Sequence, residues 1–491
     1  MDFSKIIYKL NLFLLFFLIT INLFTVFSPE IGFDALWYHL TLPRLWLLKH
    51  QWYFPGGLLY YSAMPRLTEL IYIPLISISG FIGPKMIQFL SGIGTSYLIY
   101  KISSKLGLKK LFSLLAVNVF YITWLVSWQS GSAYIDLFRT FLETFALYFF
   151  IENKKKTWAL LLGLAIGTKW LSFGSLAIYS LVFGLSILPI SLLVSLPWFL
   201  IAYHFTGNPV YPIFEPVLSQ TTPNLVLGVY RTLLAPYFLT FPFDDFLSPI
   251  TGIILIFSSV SIIFSKDPVI RKLAIIAGLG TCFSMFLNPP SSRFFLPYLP
   301  AASISGVYLI SILPNIFKKY IYIIFFASFI LVICLRLFAI QKYIPFWLGR
   351  ETQNQFLTKM SSKMPGTFID SDNFVIDHIP ANSKILINNL HNLYYFPFNF
   401  DHTSWASNSV QYDYLISEKE NPSKINGDLI HTNSLGIQVF KLNHDWGITQ
   451  NIHISLAIWS ASKLQSWTGK FPHISSWPAF YIFVDFSFDR L

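Results

Sequence analysis

Charge is scarce in this 491-residue sequence, with Asp, Glu, Lys and Arg together making 12%. A soluble globular chain carries about 25%, so a water-solvated surface of the expected size cannot be built and a soluble single- or multi-domain protein is excluded. Cysteine is scarcer still. Cys282 and Cys334 are the two present, both inside apolar segments, which excludes a disulfide framework and a thiolate metal site. No HExxH, phosphate-loop or dinucleotide-binding fingerprint occurs, and no short repeat or low-complexity tract. Acidic residues are outnumbered, 23 to 34, giving a net charge of +11. The excess cations sit in short clusters between apolar runs rather than on a continuous patch, which argues against nucleic acid as partner.

What the chain has instead is apolar length: 54% of residues are hydrophobic, and Phe (50), Tyr (26) and Trp (14) are abundant, as suits a lipid interface. The N-terminal "MDFSKIIYKLNLFLLFFLITINLFTVFSPE" places Lys5 and Lys9 before a run longer than a signal-peptide core, with no small-x-small cleavage site after it. It reads as a retained first helix. Putting the basic clusters at Lys5/Lys9, 101–110, 153–156, 265–272 and 318–319 on the cytoplasmic side gives spans at about 7–27, 84–101, 110–128, 136–152, 157–171, 172–186, 188–205, 248–265, 273–288, 294–314 and 320–339. That is eleven, with the N-terminus in and the C-terminal segment out. "RLTELIYIPLISISGFIG" (66–83) could also span. A span there would move the 101–110 cations outside, so it is read as an interfacial or re-entrant helix within one long external loop, 28–83. The other external features are the "SWQSGSAYID" turn (127–136), the 207–245 loop and "NPPSSR" (288–293).

Acidic residues divide the chain: 11 fall in 1–338 and 12 in the much shorter 339–491. A membrane domain over 1–340 and a water-facing domain over 341–491 follow. In the latter, "KILINNL" (384–390), "YDYLISE" (412–418) and "GIQVFKL" (436–442) read as strands and 351–364 as a helix. The aromatic tail is ambiguous and is placed on the membrane surface. The expected fold is an all-α polytopic bundle of about eleven transmembrane helices, with interfacial helices in its first external loop, followed by a small α/β extracytoplasmic domain.

Ionisable residues near lipid are costly and usually mark function. Asp34 and Asp136 both fall at the outer ends of helices, and Lys169 and Arg293 at the same boundary, with His39, Glu69, His204, Tyr211 and Arg231 as further substrate-binding candidates on that side. Two carboxylates and two cations on one leaflet suit chemistry on a lipid phosphosugar. The cations stabilise the phosphate left behind, and a carboxylate takes the proton of the attacking acceptor. A second carboxylate can orient the acceptor or hold a divalent cation such as Mg or Mn. Plainer roles are open for each. Asp34 and Asp136 fit helix N-caps, Lys169 a snorkelling lysine and Arg293 a flanking cation. His39 and His204 fit satisfied interface histidines. Arg139 and Glu143 read as an i,i+4 salt bridge.

Five stretches, in order, carry a resemblance: "GFDALWYHLTLPRLWL", "SAYID", "GLAIGTKW", "GNPVYPIF" and "SRFFLPYLP", with "PFWLGRETQNQFL" at the entry to the external segment. Over about residues 1–350 the chain resembles the GT-C superfamily of polytopic glycosyltransferases, which includes protein O-mannosyltransferases and lipid A aminoarabinose transferases. The resemblance implies transfer of a sugar from a polyprenyl-phosphate donor to a protein, glycan or lipid acceptor at the outer face of the plasma membrane. It implies Asp34 as catalytic base, or as the carboxylate orienting acceptor and metal, and Asp136 as the second acidic residue. Lys169 and Arg293 would contact the donor phosphate. Several members carry an acidic pair in the first loop; here Ala35 follows Asp34, which removes a second ligand for a divalent cation. Two other classes remain. A transporter or flippase of a lipid-linked saccharide would place its charges at the midplane on broken helices, often with inverted repeats. A receptor or assembly factor would not require the four polar residues to meet.

Overall fold

In a computed structural model, residues 3–215, 225–240, 251–287, 291–407, 409–418, 420 and 425–443 are described. The aromatic tail beyond 443, and parts of the 207–245 loop and of "NPPSSR", lie outside them. Over the described residues, each expected span is helical in one or more segments. Among the described residues, five helical stretches are long and apolar enough to cross a membrane by length and composition: Lys5–Val26, Leu185–Thr206, Pro268–Phe286, Ser292–Ile312 and Asn315–Trp347. Lys110–Tyr121, Ser172–Phe183 and Thr251–Phe264 are apolar but shorter. The 110–128 stretch is two helices, because the Thr123 hydroxyl accepts from the Val126 N–H and starts Trp124–Gln129 anew.

The 66–83 segment forms Leu67–Ser79, 13 residues long, or about 20 Å against the roughly 30 Å of a bilayer core. Gly80, at φ +58°, ends it, and Ile82–Lys105 begins two residues later. It is as short as Lys110–Tyr121, Ser172–Phe183 and Thr251–Phe264, so length alone does not set it apart from them.

The bundle is joined by polar side chains and by small residues rather than by apolarity alone, as helices packed in lipid require. Asn118 Nδ2 donates to Asn11 Oδ1 at 3.0 Å and Asn22 Nδ2 to Ser127 Oγ at 3.0 Å, tying the first helix to its neighbours. Ser258 and Ser305 hydroxyls meet at 2.7 Å where Thr251–Phe264 crosses Leu299–Ile312. A side chain on Gly306 would meet the Ile254 carbonyl oxygen at 2.8 Å, so that crossing needs glycine.

After the bundle comes a helix, Gln353–Met360, started by a capping box between Thr352 and Gln355. A five-stranded mixed sheet follows: β1 (Ile385–Asn388), β2 (Asp401–His402), β3 (Tyr414–Glu418), β4 (Gly427–Thr432) and β5 (Ile437–Leu442), in the order β2-β1-β3-β5-β4. β1 pairs in parallel with β2 and β3, and β5 is antiparallel to β3 and β4. The three expected strands are β1, β3 and β5. The two missed are edges: β2 has two residues, and β4 is largely exposed, with a register shift between Leu429 and His431.

The sheet is docked on the first loop. Leu42, Leu45, Trp46 and Leu59 share one buried apolar cluster with Phe368, Ile385, Ile387 and Val439. Lys49 Nζ pairs with Asp401 Oδ1 at 2.7 Å, Arg44 donates to the carbonyls of Tyr394 and Pro397, and the Leu58 N–H donates to Ser404 Oγ at 2.8 Å. At Gly57, in the left-handed region at φ +51°, the backbone approaches Ser404 more closely than any Cβ would allow. The loop is thus held between bundle and sheet.

Candidate active site

Four local breaks in helical structure aim four side chains at one point. Asp34 precedes Ala35–His39, a single widened turn in which the Leu40 N–H donates to the Ala35 carbonyl at 2.9 Å. Asp136 is the first residue of Asp136–Ile151, where the helix dipole favours a carboxylate. Lys169 is an extended residue at φ −159° between Lys155–Thr168 and Ser172–Phe183. Arg293 lies in the short helix Ser292–Phe295, begun by the Ser291 hydroxyl. The prolines of "LPYLP" then force a tighter 3-10 turn, Leu296–Tyr298, before Leu299–Ile312 runs on.

The four form one chain of ion pairs. Lys169 Nζ is 2.8 Å from Asp136 Oδ1; Arg293 Nε is 2.9 Å from Asp136 Oδ2 and its Nη1 is 2.7 Å from Asp34 Oδ2. Gln129 Nε2 also donates to Asp136 Oδ2, at 3.1 Å. Asp136 is fully buried, whereas Asp34, Lys169 and Arg293 keep 20%, 18% and 16% of their side-chain surface exposed. Asp136 therefore anchors the cations, and the other three remain partly accessible to solvent. Neither aspartate side chain caps its helix, and Lys169 and Arg293 turn inward to carboxylates, so the capping, snorkelling and flanking roles do not describe these positions.

Tyr134 is the platform. Its ring lies 4.6 Å from the Arg293 guanidinium carbon, its hydroxyl accepts from the Asp34 N–H at 3.3 Å, and its carbonyl accepts from the Tyr72 hydroxyl at 2.6 Å. Beside it, His39 Nδ1 meets Glu69 Oε1 at 2.7 Å and Arg66 Nη1 meets the same oxygen at 2.6 Å, all three residues being buried. Burial pushes the His39 imidazole below its ordinary pKa, against the pull of the Glu69 carboxylate. His39 and Glu69 thus form a buried support for the first loop. The other candidates lie on other elements. His204 is exposed with its ring against Phe205. Tyr211 is buried beside Phe54 and accepts Trp170 Nε1 at its carbonyl. Arg231 is on Leu225–Leu233. Arg139 and Glu143 form a fully buried pair at 2.8 Å, held by Ser172.

A divalent cation fits this donor set poorly. Three of the four carboxylate oxygens of Asp34 and Asp136 already accept from Arg293, Lys169 or Gln129, and an ion among them would face two positive side chains. No group of three His, Cys, Asp or Glu side chains gathers elsewhere among the described residues.

Glu30 was not singled out from the sequence, yet it fastens the two acidic loops together. Its Oε1 accepts from the Ile31 and Gly32 N–H groups at 2.9 and 2.7 Å, and its Oε2 from the Ala133 N–H at 2.7 Å; the Ser132 hydroxyl bonds both. Its sequence signal is a carboxylate directly after the first apolar run, in "SPEIGF". Glu30→Gln replaces a charged acceptor by one that offers a single oxygen, leaving a buried N–H unpaired. The expected loss is about 2–3 kcal/mol, read as a lowered unfolding temperature of the purified protein.

No family model matches the chain, and no curated protein matches it in sequence. Two solved structures match it in shape. ArnT from Cupriavidus metallidurans bound to undecaprenyl phosphate superposes with a TM-score of 0.60 at 12% identity, over 89% of this chain and 97% of that one. The apo state of the same protein gives 0.58 at 11% identity, over 87% and 97%. The chain therefore has an ArnT-like fold over 89% of its length.

Proposed function

We propose that this protein is a membrane glycosyltransferase that moves a sugar from a polyprenyl-phosphate donor to an acceptor at the outer membrane face, with inversion and with Asp34 as general base. The observation that carries the reading is the partly exposed Asp34–Arg293–Asp136–Lys169 chain, in a fold shared with a protein solved with undecaprenyl phosphate. Donor phosphate oxygens would take Arg293 and Lys169 as partners. As the sugar–phosphate bond breaks, the electron pair stays on the phosphate, and those cations stabilise the added charge. The acceptor oxygen or nitrogen attacks the anomeric carbon from the opposite face and passes its proton to Asp34 Oδ1, the carboxylate oxygen outside the ion-pair chain. Asp136, buried between the cations, holds both in position. No step passes through a metal ion. In this reading the N-terminus is cytoplasmic, and residues 341–491 lie outside, beside the acceptor.

Purified protein in nanodiscs is to be given labelled polyprenyl-phosphate sugars and, separately, nucleotide sugars, each with and without chelator. Release of free polyprenyl phosphate with sugar appearing on an acceptor or on water is expected from the lipid-linked donors alone, unchanged by chelator. Turnover of nucleotide sugars in preference would sink the donor assignment, and translocation without bond cleavage would show a flippase instead.

A further inference from the structure

A second cationic pocket lies two rings, Trp128 and Tyr134, from Arg293. It sits between the end of Phe3–Val26, the 128–132 turn and the end of Asn315–Ile340, and encloses roughly 70 Å³. Arg336, Lys342 and Lys363 line it together with Glu30, Ser132 and Trp128.

Arg336 makes the pocket unusual. It is 4% exposed; its Nε donates to Asn22 Oδ1 at 3.1 Å and its guanidinium lies 5.8 Å from the Trp124 ring, but its Nη2 has no acceptor. No carboxylate pairs with it among the described residues. A buried guanidinium with an unfilled donor and no counter-ion is costly, so the position calls for an anion. Glu30 makes no ion pair with it: both its oxygens accept from N–H donors and the Ser132 hydroxyl, and its single charge is outnumbered on the pocket wall by Arg336, Lys342 and Lys363. Lys342 is half-buried and Lys363 is exposed on the Ser361–Lys363 turn, so charge continues from the pocket floor to its rim.

We propose that this pocket is an anion site that takes a phosphoryl group, with Arg336 Nη2 as its inner donor and Lys342 and Lys363 at its mouth. A planar guanidinium backed by two ammonium groups suits a doubly charged tetrahedral oxyanion better than a carboxylate. Trp128 forms the shared wall: its ring packs on Tyr134 at 4.9 Å, and Tyr134 lies under Arg293. The site is separate from the Arg293–Lys169 pair and does not depend on the sugar-transfer reading. A lipid headgroup and free phosphate offer the same chemistry.

The test uses full-length protein in phosphatidylcholine nanodiscs, with labelled inorganic phosphate as one probe and phosphatidic acid, detected by native mass spectrometry, as the other. Saturable inorganic phosphate binding is expected if the source is free phosphate, and selective retention of phosphatidic acid if it is a headgroup. Arg336→Gln and Lys342→Gln are each expected to weaken one saturable class of bound probe about tenfold or more, whereas Lys169→Gln leaves that class in place and affects only binding at the Arg293–Lys169 pair. Lys342→Gln carries the test should Arg336→Gln fail to fold. The proposal is overturned if neither probe binds, if folded variants at 336 and 342 keep wild-type affinity, or if Lys169→Gln alone abolishes binding.

Discussion

Asp34→Asn is expected to lower sugar transfer by about 10²–10⁴-fold while expression, membrane insertion and thermal unfolding stay near wild type. The amide keeps an oxygen for Arg293 Nη1, now 2.7 Å from Asp34 Oδ2, and keeps the shape that seats the Ala35–His39 turn. The lost ion pair is partly solvated, since Asp34 is 20% exposed, and such pairs contribute at most about 1 kcal/mol. What the amide cannot do is accept a proton. The defect should therefore fall on kcat, with the KM for donor little altered. Asp34→Glu should recover part of the rate, because the proton acceptor returns slightly misplaced. A fully active Asn variant removes Asp34 from the base role.

The fold was legible because lipid leaves few options. Long apolar runs must be helical, and the basic clusters mark their ends. Helix breaks were harder to read. Thr123 splits 110–128 through one side-chain cap, and "LPYLP" gives a 3-10 turn inside what reads as a continuous span; both are decided by single residues that hydropathy averages away. Edge strands such as β4 lack the apolar alternation that exposes β5. At the site, Asp34, Asp136, Lys169 and Arg293 stood out because isolated charges are rare beside lipid. Arg66 and Glu30 did not, since a cation before Leu67–Ser79 and an acid after the first helix look like ordinary boundary residues. Their importance rests on partners 3 and about 100 residues away, Glu69 for Arg66, and the Ser132 hydroxyl and Ala133 N–H for Glu30. Arg336 was hidden for the opposite reason: near the end of an apolar span it reads as a boundary cation, and nothing in the sequence says that its Nη2 is left unpaired.

Arg293→Gln is expected to cost stability and rate together, and a second substitution separates the two. Arg293 gives Nε to the fully buried Asp136 and Nη1 to Asp34. Without it, Asp136 keeps Lys169 at 2.8 Å and Gln129 at 3.1 Å but loses one of its two cations. Breaking a buried pair costs about 3–5 kcal/mol, and the remaining lysine and the partial exposure of Arg293 place this case near the lower end. The rate should fall by at least about 10²-fold, since a donor aimed at developing phosphate charge is gone. In Arg293→Gln/Asp136→Asn the excess buried negative charge is removed, but Lys169 loses its 2.8 Å partner, so only part of the unfolding temperature should return. Transfer should not return, because the phosphate still lacks its guanidinium. Recovery of both in the double variant would make Arg293 a structural counter-ion to Asp136 and leave the donor phosphate to Lys169 alone.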